Sequence, residues 1–90
     1  MKTIWKFTLR VADSQALLMP LGARVLSVQT QFDRPQLWVL LDDTETTHEN
    51  RTFAICGTGH PAPADTSRFI GTFQLKEGAL VFHVFETTPQ

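Results

Sequence analysis

Apolar and polar residues alternate with a period of two along most of this chain, and that spacing predicts strands rather than helices. Trp5, Phe7, Leu9 and Val11 fall on one face of a first run, with Lys6, Thr8 and Arg10 on the other. Asp13-Ser14 breaks the run, and Gln15 to Met19 resumes it until Pro20-Leu21-Gly22 supplies a turn. Arg24 to Gln31 reads as a third strand, with Leu26 and Val28 alternating against Ser27 and Gln29. Asp33-Arg34-Pro35 reads as the turn that follows. Leu37 to Leu41 is apolar on both faces, the mark of a central strand. Phe53 to Cys56, Phe69 to Leu75 and Ala79 to Glu86 complete a set of seven, the last again mainly apolar on both faces. Lys76-Glu77-Gly78 joins the final two. No stretch of twelve residues holds a helical stripe free of Gly, Pro or β-branched runs. The pattern predicts an all-β fold, a compact antiparallel β-sandwich or small barrel of about seven short strands.

Ninety residues make one domain, 1–90, with residues 87–90 expected as a frayed tail. Apolar residues are 42% of the chain and charged ones 19%, which sets it apart from disordered sequences. Eight basic residues against nine acidic ones leave a net charge of −1, the wrong balance for direct nucleic-acid binding. The single cysteine, Cys56, rules out an internal disulfide framework and fits a reducing cytoplasm. The first residues carry no apolar signal-peptide run, and no segment approaches the ~20 apolar residues of a membrane span. A cytoplasmic location away from membranes is therefore expected.

Two stretches fall outside the strand pattern. Asp42 to Asn50 reads as an acidic surface loop, and Asp42, Asp43, Glu45 and Glu49 are its candidate partner-binding residues. Gly57 to Ser67 connects two strands and opens with Gly57-Thr58-Gly59-His60-Pro61. Its glycines allow close backbone approach, and successive N–H groups there are suited to an anion-binding nest. Arg51 and Arg68 flank the strands bordering this loop, and arginine grips carboxylate and phosphate with paired hydrogen bonds. Arg51, Gly57, Thr58, Gly59, His60 and Arg68 are accordingly the candidate ligand-binding set. The competing reading makes the glycines purely geometric and pairs the arginines with Asp42, Asp43 or Glu86.

Other chemistries fare worse. Among Cys56, His60, His48 and His83 only Cys56 and His60 make a loose pair, short of the two clusters of a structural zinc site, so no metal and no cofactor is expected. His83 sits in a predicted core strand, where a neutral, hydrogen-bonded ring is the simpler account. A Cys56–His60 couple is less plausible than a small buried cysteine, and no Gly-x-Ser-x-Gly elbow is present. No catalytic residues are assigned, and a non-enzymatic role is expected.

Met19 to Gln29, Arg51-Thr52-Phe53 with the Gly57–Pro61 loop, Phe69-Ile70-Gly71-Thr72-Phe73-Gln74 and Ala79 to Glu86 resemble a family of small phage and prophage proteins of unknown function. That resemblance covers nearly the whole chain. It implies a phage-encoded protein acting in the host bacterial cytoplasm and supplies no catalytic residues. Proteins of this kind commonly work by binding. The expectation is therefore a protein that blocks or sequesters a host component from anti-phage defence, either a protein partner or an anionic signalling nucleotide. An assembly accessory that uses its β domain to oligomerise is the alternative. Trp5, Trp38 and seven phenylalanines exceed what one small core hides, so a homo-oligomer is expected.

Overall fold

The computed structural model describes residues 1–64 and 67–88. Its strands are β1 (Lys2–Thr8), β2 (Ser14–Pro20), β3 (Arg24–Gln31), β4 (Arg34–Asp42), β5 (His48–Gly57), β6 (Arg68–Leu75) and β7 (Leu80–Glu86). A 3-10 turn, Lys76–Gly78, joins the last two. β1, β4 and β3 form a three-stranded sheet in that order, and β2, β5, β7 and β6 a four-stranded one. Every pairing is antiparallel. The fold is an all-β sandwich, and both strands read as central, β4 and β7, lie inside their sheets.

The core follows from the alternation. Leu37, Val39 and Leu41 of β4 turn inward together with Phe53 and Ile55 of β5, Phe73 of β6 and Val84 of β7. Met19, Val25 and Val28 fill the same layer. Each such side chain contributes roughly 1.5–3 kcal/mol through burial alone.

One flank of the sandwich is closed where β3 runs beside β6. Thr30 Oγ1 donates to the Gln74 carbonyl at 2.7 Å. The Lys76 N–H donates to Asp33 Oδ1 at 2.9 Å. Gly71 permits this approach, because a Cβ there would stand 2.9 Å from Val28 Cγ1. Gly71→Ala is therefore expected to cost about 1–3 kcal/mol in urea denaturation, the usual range for overpacking. The same change in a Val28→Ala background should cost clearly less, because the obstructing methyl is gone.

Several boundaries differ from the sequence reading. β1 ends at Thr8 rather than running to Val11. The Gln15 side chain takes the Arg10 N–H at 2.9 Å and donates to the Arg10 carbonyl at 2.7 Å, which draws the chain out of register with β4. Leu26 does not alternate with Val28: a bulge between Val25 and Ser27 leaves Leu26 exposed while Val25 and Val28 point inward. The β3–β4 turn is Phe32–Asp33, both at positive φ, so Arg34 and Pro35 already belong to β4. β5 starts at His48, five residues before the predicted strand, and this shortens the acidic loop to 43–47. Thr87 and Thr88 are not frayed. The Thr87 N–H donates to the Thr52 carbonyl at 2.8 Å, and Thr88 Oγ1 accepts the Thr52 N–H at 2.7 Å. Residues 89–90 of the expected tail, and 65–66 of the Gly57–Ser67 loop, lie outside the described residues.

Candidate functional site

Antiparallel connectivity sorts the connections to two ends of the sandwich. The β1–β2 connection, the β3–β4 turn, the start of the β5–β6 loop and the β6–β7 turn share one end. The β2–β3 and β4–β5 turns share the other with Met1, Arg68 and Glu86.

This sorting separates the candidate ligand-binding residues. Gly57, Thr58, Gly59 and His60 stand at the first end, whereas Arg51 and Arg68 stand at the second. Six residues of strand, about 20 Å at ~3.3 Å each, separate Arg51 from Gly57. The expected convergence of both arginines with Thr58 and His60 on one anion is not formed.

Arg51 is committed elsewhere. On β5 it shares the inward face with Phe53 and Ile55, and Glu86 shares the inward face of β7 with Val84. Arg51 Nε donates to Glu86 Oε2 and Nη2 to Oε1 (3.0 Å), a two-pronged pair. Nη1 donates to the Ala23 carbonyl at 2.7 Å and approaches Glu49 Oε1 at 3.5 Å. Burial opposes ionisation of Glu86, but the hydrogen bonds and charge of Arg51 outweigh it and hold the carboxyl below its ordinary value. Arg68 stands opposite Glu86 in register and adds to this. The shallow depression here, about 270 Å³, thus presents Arg51 and Arg68 beside Glu49 and Glu86. Its charges balance, which disfavours an anion.

The acidic candidates are likewise engaged. The Met1 amino group donates to Asp43 Oδ1 at 2.7 Å and to Asp42 Oδ1 at 3.3 Å. Asp42 Oδ1 also accepts the Thr44 hydroxyl at 2.6 Å and the Thr44 N–H at 3.0 Å. The hydroxyl bond chiefly, with the backbone bond next, lowers the Asp42 carboxyl to about 2. Glu45 Oε1 accepts the Thr47 N–H at 3.0 Å, and Glu49 turns toward Arg51. These carboxylates order a turn and a strand start while remaining at the surface.

At the first end the glycines act in two ways. Gly59 takes φ +85°, and Gly57 lets the His60 ring lie across its Cα, 3.4 Å from where a Cβ would be. Thr58 turns away from His60: its hydroxyl pairs with His83 Nε2 at 2.8 Å, while Thr72 Oγ1 pairs with Nδ1 at 2.9 Å. His83 is thus half-buried on the outward face of β7 with both ring nitrogens engaged. His48 Nδ1 lies 3.2 Å from the Thr46 carbonyl. Among the described residues, no three His, Cys, Asp or Glu side chains are grouped to hold a metal ion. No described helix is long and apolar enough to cross a membrane.

A concavity also lies at this end. An open groove of about 640 Å³ runs between Val11–Asp13 and the 60–63 stretch, floored by Ile55, Cys56, Gly57 and Phe82. Its walls are mainly apolar, with the Asp13 carboxylate, the His60 ring and the Cys56 thiol as polar features. β2 has ended by this point: the Ile55 N–H donates to the Asp13 carbonyl at 3.3 Å, and β5 continues alone on that side through Cys56 and Gly57. Strand parity turns the Gly57 N–H into the groove.

The family model for a domain of unknown function, DUF7352, matches residues 1–90. The chain belongs to this family. No curated protein and no solved structure matches it. Within this DUF7352 chain, sequence reading reached Gly57 and His60 of the groove but missed Val11, Asp13 and Pro63, which carry no motif. It also missed Phe32, at the same end. Phe32 is 91% exposed and sits at φ +52°, a conformation bulky side chains avoid. The sequence carried no signal for it, because the runs Arg24–Gln31 and Leu37–Leu41 leave five residues between them and Asp33-Arg34-Pro35 reads as the turn. Phe32→Asn is expected to raise stability by about 0.5–1 kcal/mol in thermal denaturation, since asparagine suits this turn position.

Proposed function

We propose that this protein is a non-enzymatic binding module that captures a segment of a protein partner in the groove between Val11–Asp13 and residues 60–63. The observation that carries this reading is the groove itself, an open apolar trough of about 640 Å³ beside a β5 edge that β2 leaves uncovered. An extended chain fits such a trough, with a backbone bond to the Gly57 N–H and apolar side chains against Val11, Ile55 and Phe82. A protein partner is favoured over an anionic nucleotide because Arg51 is spent on Glu86, Ala23 and Glu49. The resemblance to small phage and prophage proteins makes a host protein from anti-phage defence the partner class, met inside the bacterium.

The test compares the native chain with Val11→Glu, each purified from phage-infected bacteria and measured by native mass spectrometry. A stoichiometric host protein is expected on the native chain and absent from Val11→Glu. Alkylation of Cys56, which lines the groove, should slow at least severalfold in the complex. A retained nucleotide, or a host protein held equally well by Val11→Glu, would overturn this reading.

A further inference from the structure

Each sheet exposes two edge strands, and a bare edge is a template for another chain unless it is blunted. Three of the four are blunted here. β1 carries Lys2 and Lys6. β3 and β6 each contain a bulge and lie beside one another on the closed flank. β2 is the exception: Ser14-Gln15-Ala16-Leu17-Leu18-Met19-Pro20 holds no charge, no register shift, and no proline before its last residue.

The ladder fixes which groups this edge presents. The Ile55 N–H donates to the Asp13 carbonyl, and the Leu21 N–H to the Thr47 carbonyl at 2.8 Å. These two bonds set the parity between them, so Gln15, Leu17 and Met19 bond β5. The N–H and C=O groups of Ser14, Ala16 and Leu18 therefore point outward. Ala16 and Leu18 are exposed, Leu18 by 60%.

We infer that β2 pairs antiparallel with β2 of a second copy across a twofold axis, joining two four-stranded sheets into one of eight strands. An uncharged edge without bulges suits a copy of itself, because a twofold places the same strand antiparallel to its image. With Leu17 on the axis, Ala16 of one copy faces Leu18 of the other, small against large, and their outward donors and acceptors meet. A charged peptide finds no counter-charge along this edge, which disfavours it as the occupant. The inference is independent of the groove.

Sedimentation velocity over a concentration series, with amide exchange of Ala16 and Leu18 followed by NMR, tests it. The expected result is a species of twice the 10.1 kDa chain mass, with both amides slowed roughly tenfold or more relative to dilute protein. Leu18→Lys places two charges near the axis, and Ala16→Pro removes an outward N–H without touching the ladder to β5. Both should sediment as monomers with unchanged circular dichroism. If either variant fails to fold, the concentration dependence of exchange in the native chain decides. A native chain that stays monomeric throughout would overturn the pairing. So would a dimer that persists in the variants while both amides exchange freely.

Discussion

Replacing Arg51 with methionine is expected to destabilise the protein by about 3 kcal/mol, the low end of the range for breaking a buried ion pair by removing one partner. Arg51 and Glu86 are 9% and 8% exposed, so the change strands a carboxylate on the inward face of β7. It also orphans the Ala23 carbonyl. The neighbouring depression lets water approach, which keeps the cost from the upper part of that range. A loss of this size lowers the melting temperature by about 12–24 °C for a chain this short. The double variant Arg51→Met, Glu86→Leu should recover much of the loss, because an apolar pair of similar volume removes the stranded charge.

The same pair gives the protein an acid-sensitive side. Glu86 titrates below its ordinary 4.5 in the folded chain, so its contribution is complete above that value and is lost as pH falls through the folded one. Asp42, lowered from 3.8 to about 2, acts in the same direction over that lower window. Stability should therefore hold level from neutral pH down to about 5 and decline below it. In Arg51→Met the Glu86 part of that decline should vanish or reverse. Thermal melts across this pH series check both.

Truncating Phe53 to alanine is expected to cost about 3–5 kcal/mol, a large share of the total stability of a domain this size. Phe53 is fully buried between Arg51 and Ile55 on the inward face of β5 and stands opposite Gln15 and Glu86 in the ladders. Its neighbours Thr52 and Ala54 face outward. Thr52→Ala, which removes a hydroxyl bonded to Thr87 Oγ1 at 3.0 Å, should cost no more than about 1 kcal/mol. Guanidinium denaturation of the two variants thus tests the parity of β5. Equal losses at residues 52 and 53 would mean that the strand is turned differently.

The parity of β5 also shows where the sequence was legible and where it was not. Runs such as Leu37–Leu41 and Leu80–Phe85 declare themselves as interior strands because both faces are apolar. β5 does not, because Glu49 and Arg51 occupy inward positions and make its first half read as loop. An ion pair in the core layer is invisible to a hydrophobic pattern until both strands are aligned. Leu26 was misplaced for a similar reason: one extra residue at a bulge inverts the alternation beyond it. For the candidate site, Gly57 and His60 were visible through local composition. The groove is made by the ends of β1, β2 and β5, a juxtaposition set by topology. The separation of Arg51 from Thr58 and His60 is of the same kind, since flanking a loop in sequence does not place two residues at one end of a strand.

Site-specific photocrosslinking tests the groove reading most directly. Benzoylphenylalanine placed at Val11 in the native chain, activated in phage-infected bacteria, should give one dominant adduct with a host protein. The same probe at Asp43, at the opposite end of the sandwich, should give none of that adduct. A dominant host-protein adduct from position 43 with none from position 11 would contradict the groove as the docking site.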